Sequence, residues 1–161
     1  MNYKYGNLLE HLDDYRDVFV TTNSFVKSNG DLVMGRGFAK SLANLYPDLP
    51  FYAGSAVDQF PKINCRIYGI IPLVYSNIGL FQVKDHWQHD AIEPLIALST
   101  YLLSEYANRY PEYQMAVNFP GIGNGKLSPE TVEPIIDTLP PNVDVWQFPR
   151  PIRGNTSITS K

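Results

Sequence analysis

Two glycine-rich stretches in this chain have the composition of anion-binding loops. The first reads Met34-Gly35-Arg36-Gly37-Phe38-Ala39, and the second reads Pro120-Gly121-Ile122-Gly123-Asn124-Gly125-Lys126-Leu127. Glycine lets the backbone approach a ligand with no Cβ in the way, and it tolerates φ > 0. Each stretch is expected to run straight into a helix, whose first turn offers spare N–H groups and a partial positive charge. The N–H groups of Gly35, Arg36 and Gly37 would cradle one side of a pyrophosphate. Those of Gly121, Ile122, Gly123 and Asn124 would cradle the other. For either loop taken alone, the alternative is a tight turn and helix cap.

Other side chains offer chemistry near these loops. Asn23 ends the run Asp17–Thr22, and its amide both donates and accepts, which suits a ribose hydroxyl. The alternative is a turn residue that bonds its own backbone. Lys84 ends the run Leu80-Phe81-Gln82-Val83. A lysine becomes a nucleophile only when burial or a nearby cation lowers its pKa; otherwise it is a solvated strand end. Asp85, His86, His89 and Asp90 surround Trp87, and His86 is a candidate base. The His-x-x-His pair lacks further ligands at a recognisable spacing, so neither a metal nor another cofactor is expected. Asp31, just ahead of the first loop, is a candidate acid or a surface-turn residue.

The elements that position these residues follow from pattern. The β-branched and aromatic run Asp17 to Thr22 predicts a buried strand. Phe38, Leu42, Leu45 and Tyr46 recur at helical spacing up to Pro47. The stretch 48–64 reads as loop because of its prolines and glycine. Arg66 to Val74 and Ile78 to Lys84 read as two strands, with Ser76-Asn77 as a hairpin turn and Pro72 marking an edge. Ile92 to Tyr106 is a long amphipathic helix stopped by Pro111, with Pro94 in its first turn. Tyr113 to Phe119 is a strand that leads into the second glycine loop. Ser128-Pro129-Glu130 starts another helix. Val143 to Phe148 is a last strand, and residues 150–161 read as a loose tail. Alternating strands and helices predict an α/β layered domain.

Composition bounds the rest. The 161 residues suit one domain, and 44% hydrophobic with 18% charged residues is ordinary globular composition. A net charge of −3 supplies no diffuse basic field for nucleic acid or anionic membrane. No apolar run approaches the roughly 18 residues of a membrane span. Cys65 is the single cysteine, so no internal disulfide is expected, and a buried inert thiol is its simplest role. These features favour the cytoplasm.

In order and spacing, the motifs resemble those of the macrodomains. The elements are Tyr5-Gly6-Asn7-Leu8-Leu9, then Asn23 after a strand, then Met34-Gly35-Arg36-Gly37-Phe38-Ala39, then Asn118-Phe119-Pro120-Gly121-Ile122-Gly123-Asn124-Gly125. The resemblance spans roughly Tyr3 to Phe148. It implies a macrodomain over 1–149, a three-layer α/β/α sandwich around a mixed, largely parallel sheet, with 150–161 as the tail. It also implies a cleft for ADP-ribose or a derivative, carried on a macromolecule in some cases. Asn7 stands where the family usually has an aspartate that contacts the adenine amino group; a helix cap ahead of Leu8 is the other reading. Trp146 and Phe148 lie where the family stacks an aromatic on adenine, with core packing as the alternative.

The first loop resembles most the branch of terminal ADP-ribose glycohydrolases and DNA-ADP-ribose hydrolase antitoxins. There, a lysine at the place of Lys84 attacks the distal ribose. The branch also has an acid after its second glycine loop, where this chain has Asn124, Gly125 or Lys126. With that acid missing, ADP-ribose-1″-phosphate dephosphorylation is the leading expectation, with His86 near the phosphate. De-ADP-ribosylation and non-catalytic ADP-ribose binding are the alternatives.

Overall fold

The structure is a computed structural model and describes residues 1–62 and 66–148. Cys65 and the expected tail, 150–161, lie outside the described residues. Six strands form one sheet: β1 (Asn2–Tyr5), β2 (Asp17–Thr22), β3 (Ile70–Tyr75), β4 (Ile78–Gln82), β5 (Met115–Asn118) and β6 (Val143–Gln147). Their order is β1-β6-β5-β2-β4-β3. Every neighbouring pair is parallel except β3 with β4, which form the expected hairpin.

The side-chain alternation of β2 sets up two cores. Val18 and Val20 face helices α1 (Gly37–Leu45) and α2 (Leu49–Gln59), together with a 3₁₀ segment at Leu8–Asp14. Phe19 faces α3 (Glu93–Arg109) and α4 (Pro129–Ile136). The sheet is therefore covered on both faces, as parallel strands require, and the sandwich has three layers. β3 forms one edge, and its register is irregular between Ile71 and Tyr75, around Pro72. That agrees with proline's lack of a ladder donor.

One stretch read as loop is a helix. Residues 49–59, read as loop, are helix α2. Pro50 sits in the first turn, where its missing N–H costs nothing. Leu49, Ala53 and Val57 form a buried i, i+4, i+8 stripe. Gly54 marks a close approach of chains rather than a break. A Cβ there would lie 1.9 Å from the Gly30 carbonyl oxygen. Gly54→Ala gains about 1 kcal/mol of helix propensity but overpacks that contact, for a net loss on the order of 1–3 kcal/mol. Urea unfolding measures this; a neutral or stabilising result would contradict the packing.

Parallel pairing determines where the site lies. β2 and β5 are neighbours, with Val18 opposite Ala116 and Phe19 opposite Val117. Asn118 extends the pairing: its Oδ1 accepts from the Thr21 N–H at 2.9 Å, and its Nδ2 donates to Thr21 Oγ1 at 2.8 Å. The glycine loops that follow these two strands therefore emerge side by side, at the carboxyl end of the sheet.

Candidate functional site

A cleft of about 220 Å³ opens between the two loops at that end. Gly37 and Phe38 of the first loop line it, as do Ile122 of the second, Asn118 and Phe119 from the end of β5, Gly6 and Leu8 beyond β1, and Trp146, Gln147 and Phe148 at the end of β6. Leu8, Gly37, Ile122, Trp146 and Phe148 were expected at the site. Gly6, Phe38, Asn118, Phe119 and Gln147 were not, although all but Asn118 adjoin a residue that was. A separate cavity of about 230 Å³, between Phe25, Val57, Lys62 and Arg66, contains none of the expected residues.

The glycines divide into two kinds. A Cβ on Gly121 would meet Ile96 at 2.6 Å, and one on Gly125 would meet Ala91 at 2.9 Å. Those two serve packing. Gly35, Gly37 and Gly123 have φ of 65°, 65° and 64°, with nothing within 4 Å of the point a Cβ would occupy. Their bare faces are the ones open to a ligand. α1 begins at Gly37, directly after the first loop, as expected. The second loop instead makes its own 3₁₀ turn, Gly123–Gly125, and α4 starts only at Pro129, where the Ser128 side chain accepts from the Thr131 N–H. Its amide cradle is thus a loop and a short turn, without a long helix behind it.

The aromatic residues also separate. Trp146 is buried, stacks on His11 with ring centroids 4.7 Å apart, and donates from Nε1 to the Tyr15 hydroxyl at 2.9 Å. Phe148 is 57% exposed at the cleft rim, which leaves its ring free to stack on a base. Asn7 caps the Leu8–Asp14 segment, its Oδ1 accepting from the Leu9 N–H at 3.1 Å.

Asn23 is buried and engaged on both sides. Its Oδ1 accepts from the Phe25 N–H at 2.8 Å, and its Nδ2 donates to the Val33 carbonyl at 2.9 Å. It clamps the base of the excursion that delivers Met34 and the first glycine loop. The fully buried Tyr68 braces it, donating from its hydroxyl to the Asn23 carbonyl at 2.8 Å. Asn23→Ala leaves a buried N–H and C=O without that clamp. It should cost about 1–3 kcal/mol of stability and, by loosening the loop, at least ~10-fold in turnover. Unchanged kcat/KM in the folded variant would mean the clamp does not position the site. Asp31 lies at the tip of the same excursion. It closes a turn through the Lys27 N–H and Asn29, and the chain beside it packs on α2.

Lys84 follows β4 and opens the segment 84–91, which is bonded to Ser24 just after β2 and to Gly125 of the second glycine loop. The Ser24 N–H donates to the Asp85 carbonyl at 3.1 Å on one side, and the Ala91 N–H donates to the Gly125 carbonyl at 3.0 Å on the other. The Lys84 ammonium donates to the Trp87 carbonyl at 3.3 Å. Burial holds its pKa below the ordinary lysine value; the Asp90 carboxylate opposes this and the Lys126 ammonium reinforces it. Asp90 and Lys126 lie 3.9 Å apart. His86 packs edge-on against Phe25 and stacks on Trp87, while its Nδ1 accepts from the Gln88 N–H. His89 pairs with Asp85 at 3.0 Å and holds that carboxyl below its usual range.

Gln82 sets where Lys84 sits. It is fully buried; its Oε1 accepts from the Tyr68 and Gly69 N–H groups, and its Nε2 donates to the Arg66 and Lys84 carbonyls. The signal for it was present in the sequence: one amide inside the otherwise apolar run Leu80-Phe81-Gln82-Val83. Among the described residues, no group of three His, Cys, Asp or Glu side chains is arranged to hold a metal ion, and no helix is long and apolar enough to cross a membrane.

The sequence matches no family profile and no curated protein. Solved structures do match. The macrodomain of Mycobacterium tuberculosis DarG aligns with a TM-score of 0.67 at 24% identity, over 93% of this chain and 97% of that one. The macrodomain of Thermus aquaticus DarG gives 0.64 at 22%, again over 93% and 97%. Thermosipho africanus DarTG, solved in complex with ADP-ribose, gives 0.65 at 18%, over 92% of this chain and 42% of that one. The chain has the macrodomain fold.

Proposed function

We propose that the cleft binds ADP-ribose and that the protein releases it from an ADP-ribosylated macromolecule, with Lys84 as nucleophile. The observation that carries the reading is the setting of Lys84. It stands on a segment bonded to Ser24 just after β2 and to Gly125 of the second glycine loop, with its pKa lowered by burial. Binding is supported by three open, left-handed glycines on loops that face one cleft, and by the exposed Phe148 ring at its rim. The ADP-ribose complex of the similarly folded DarTG supports the same ligand.

The chemistry balances without a cofactor. The Nζ lone pair of neutral Lys84 forms a bond to C1″ of the distal ribose. The bond from C1″ to the macromolecule breaks, and the leaving atom keeps that electron pair and takes up a proton. Water then cleaves the lysine adduct, freeing ADP-ribose and restoring the amine. The amide cradles hold the diphosphate while this happens, so that C1″ is presented to Nζ rather than diffusing.

ADP-ribose-1″-phosphate dephosphorylation draws less support. Its candidate base, His86, has Nδ1 engaged by Gln88 and its ring packed between Phe25 and Trp87. The deciding assay offers three substrates: a mono-ADP-ribosylated protein, an ADP-ribosylated single-stranded oligonucleotide and ADP-ribose-1″-phosphate. Release of ADP-ribose from one of the first two is expected. Phosphate release alone would restore the phosphatase reading. Tight binding with no turnover would leave a binding module.

A further inference from the structure

Asp144 and Trp146 are alternate residues of β6, so both side chains leave the sheet on the face that the Leu8–Asp14 segment covers. Asp144 is buried, and a buried carboxylate is costly unless hydrogen bonds satisfy it. Two side chains do so. The Tyr15 hydroxyl donates to its Oδ2 at 2.6 Å, and the Asn2 amide donates to its Oδ1 at 3.1 Å. Burial and the Asp144 carboxylate both raise the Tyr15 pKa, so the phenol stays protonated. Its single proton goes to Asp144. Its oxygen is left to accept from the Trp146 indole, which can only donate, at 2.9 Å. The chain from Trp146 through Tyr15 to Asp144 therefore runs in one direction and is charge-assisted at its end.

Apolar side chains would fill this layer without the cost of burying a charge. What the polar chain adds is direction. The indole cannot turn over within its site without losing its one partner. His11 covers a face of the ring, and a Cβ on Gly6 would lie 3.3 Å from Cζ3. Tyr15 is itself tied down. Asn77, in the β3–β4 turn, donates to the carbonyls of Leu12 and Tyr15 at 2.9 and 3.1 Å.

The strand order gives that ring a place along the ligand. β5 and β2, which lead to the glycine loops, are central. β4, which leads to Lys84, lies beyond β2, whereas β6 and β1 lie on the opposite side, beyond β5. A ligand with its diphosphate between the loops and its distal ribose toward Lys84 has its base beside β6 and β1. Gly6, Leu8, Trp146 and Phe148 line the cleft there.

We infer that Tyr15 is a positioning residue for the base: backed by Asp144, it fixes the Trp146 ring as the wall against which a purine is seated. This rests on the reading of the cleft as an ADP-ribose site and not on the role of Lys84. Tyr15 is not one of the residues that line the cleft, so it acts through the indole.

The test uses Tyr15→Phe, which keeps the ring and removes the hydroxyl, and Asp144→Asn, which keeps an acceptor and removes the charge. The hydrogen bond is read first. Trp87 and Trp146 are the two tryptophans of the chain, and Trp87→Phe assigns their indole N–H signals in a proton–nitrogen NMR spectrum. The Trp146 N–H should exchange with solvent at least ~10-fold faster in Tyr15→Phe than in wild type. Affinity is then read in the same spectra with ADP-ribose and with ribose-5-phosphate, which has no base. Tyr15→Phe should weaken ADP-ribose by about 10-fold and leave ribose-5-phosphate within about 2-fold. Asp144→Asn should weaken ADP-ribose in the same direction by less, and it carries the test alone if Tyr15→Phe does not fold. Unchanged ADP-ribose affinity in the folded variant would overturn the inference. So would an equal loss for both ligands, which marks a general loosening of the fold. A wild-type protein that binds no ADP-ribose would instead remove the reading of the cleft.

Discussion

Lys84→Ala should abolish ADP-ribose release from a macromolecular substrate, with a loss on the order of 10³-fold or more, because no covalent step remains. ADP-ribose affinity should change by only a few-fold. On this reading Lys84 meets only the distal ribose, while other residues line the cleft between the glycine loops that holds the rest of the ligand. Lys84→Arg should fare no better, since guanidinium stays protonated and offers no lone pair. The split between intact affinity and lost turnover distinguishes a nucleophile from a phosphate contact, which would lose both. Sodium borohydride added during turnover should leave an ADP-ribosyl mass on the Lys84 peptide. Turnover by Lys84→Ala within 10-fold of wild type would remove the covalent mechanism.

Gly123→Val should weaken ADP-ribose binding by about 100-fold or more while the protein stays folded. Gly123 has φ of 64°, and no atom lies within 4 Å of where its Cβ would be. The added branched side chain would therefore meet no protein neighbour; it would occupy the space through which a phosphate approaches the loop amides. Valine also resists left-handed φ, so the loop would shift away from its cradle geometry. Gly121 provides the contrast. A Cβ there would strike Ile96 at 2.6 Å, so Gly121→Val should lower thermal stability as well as affinity. Wild-type affinity in a folded Gly123→Val protein would mean that the second loop is only a turn.

Much of the architecture could be read locally. The run Asp17–Thr22 is strand β2 at the expected residues, and Ser128-Pro129-Glu130 opens α4 with a side-chain cap. These signals depend on neighbours in sequence. β1 offered no such signal. Asn2–Tyr5 is held by pairing with Asp144–Gln147 at the other end of the chain, and its residues are mostly exposed. Helix α2 was obscured by Pro50 and Gly54, which usually punctuate chain but here serve a first turn and a close approach to Gly30.

The site followed the same division. The two glycine loops were legible because glycine is a local requirement of the backbone. The surroundings of Lys84 were not, because the Ala91–Gly125 hydrogen bond and the Asp90–Lys126 pair join its segment to the distant second loop, and spacing carries no record of such contacts. Asn23 and Asn7 each carry the backbone hydrogen bond that a turn or cap reading anticipates. Asn23 also holds the Val33 carbonyl across the excursion, which no local pattern reveals.

In the proposed complex two loops, far apart in sequence, grip one diphosphate in one cleft. Titration calorimetry with ADP-ribose, AMP and ribose-5-phosphate puts this to the test. Only ADP-ribose spans both cradles, so it should bind at least ~10-fold more tightly than either fragment, a difference of about 1.4 kcal/mol. AMP binding as tightly as ADP-ribose would contradict the claim, because one loop would then account for all of the affinity.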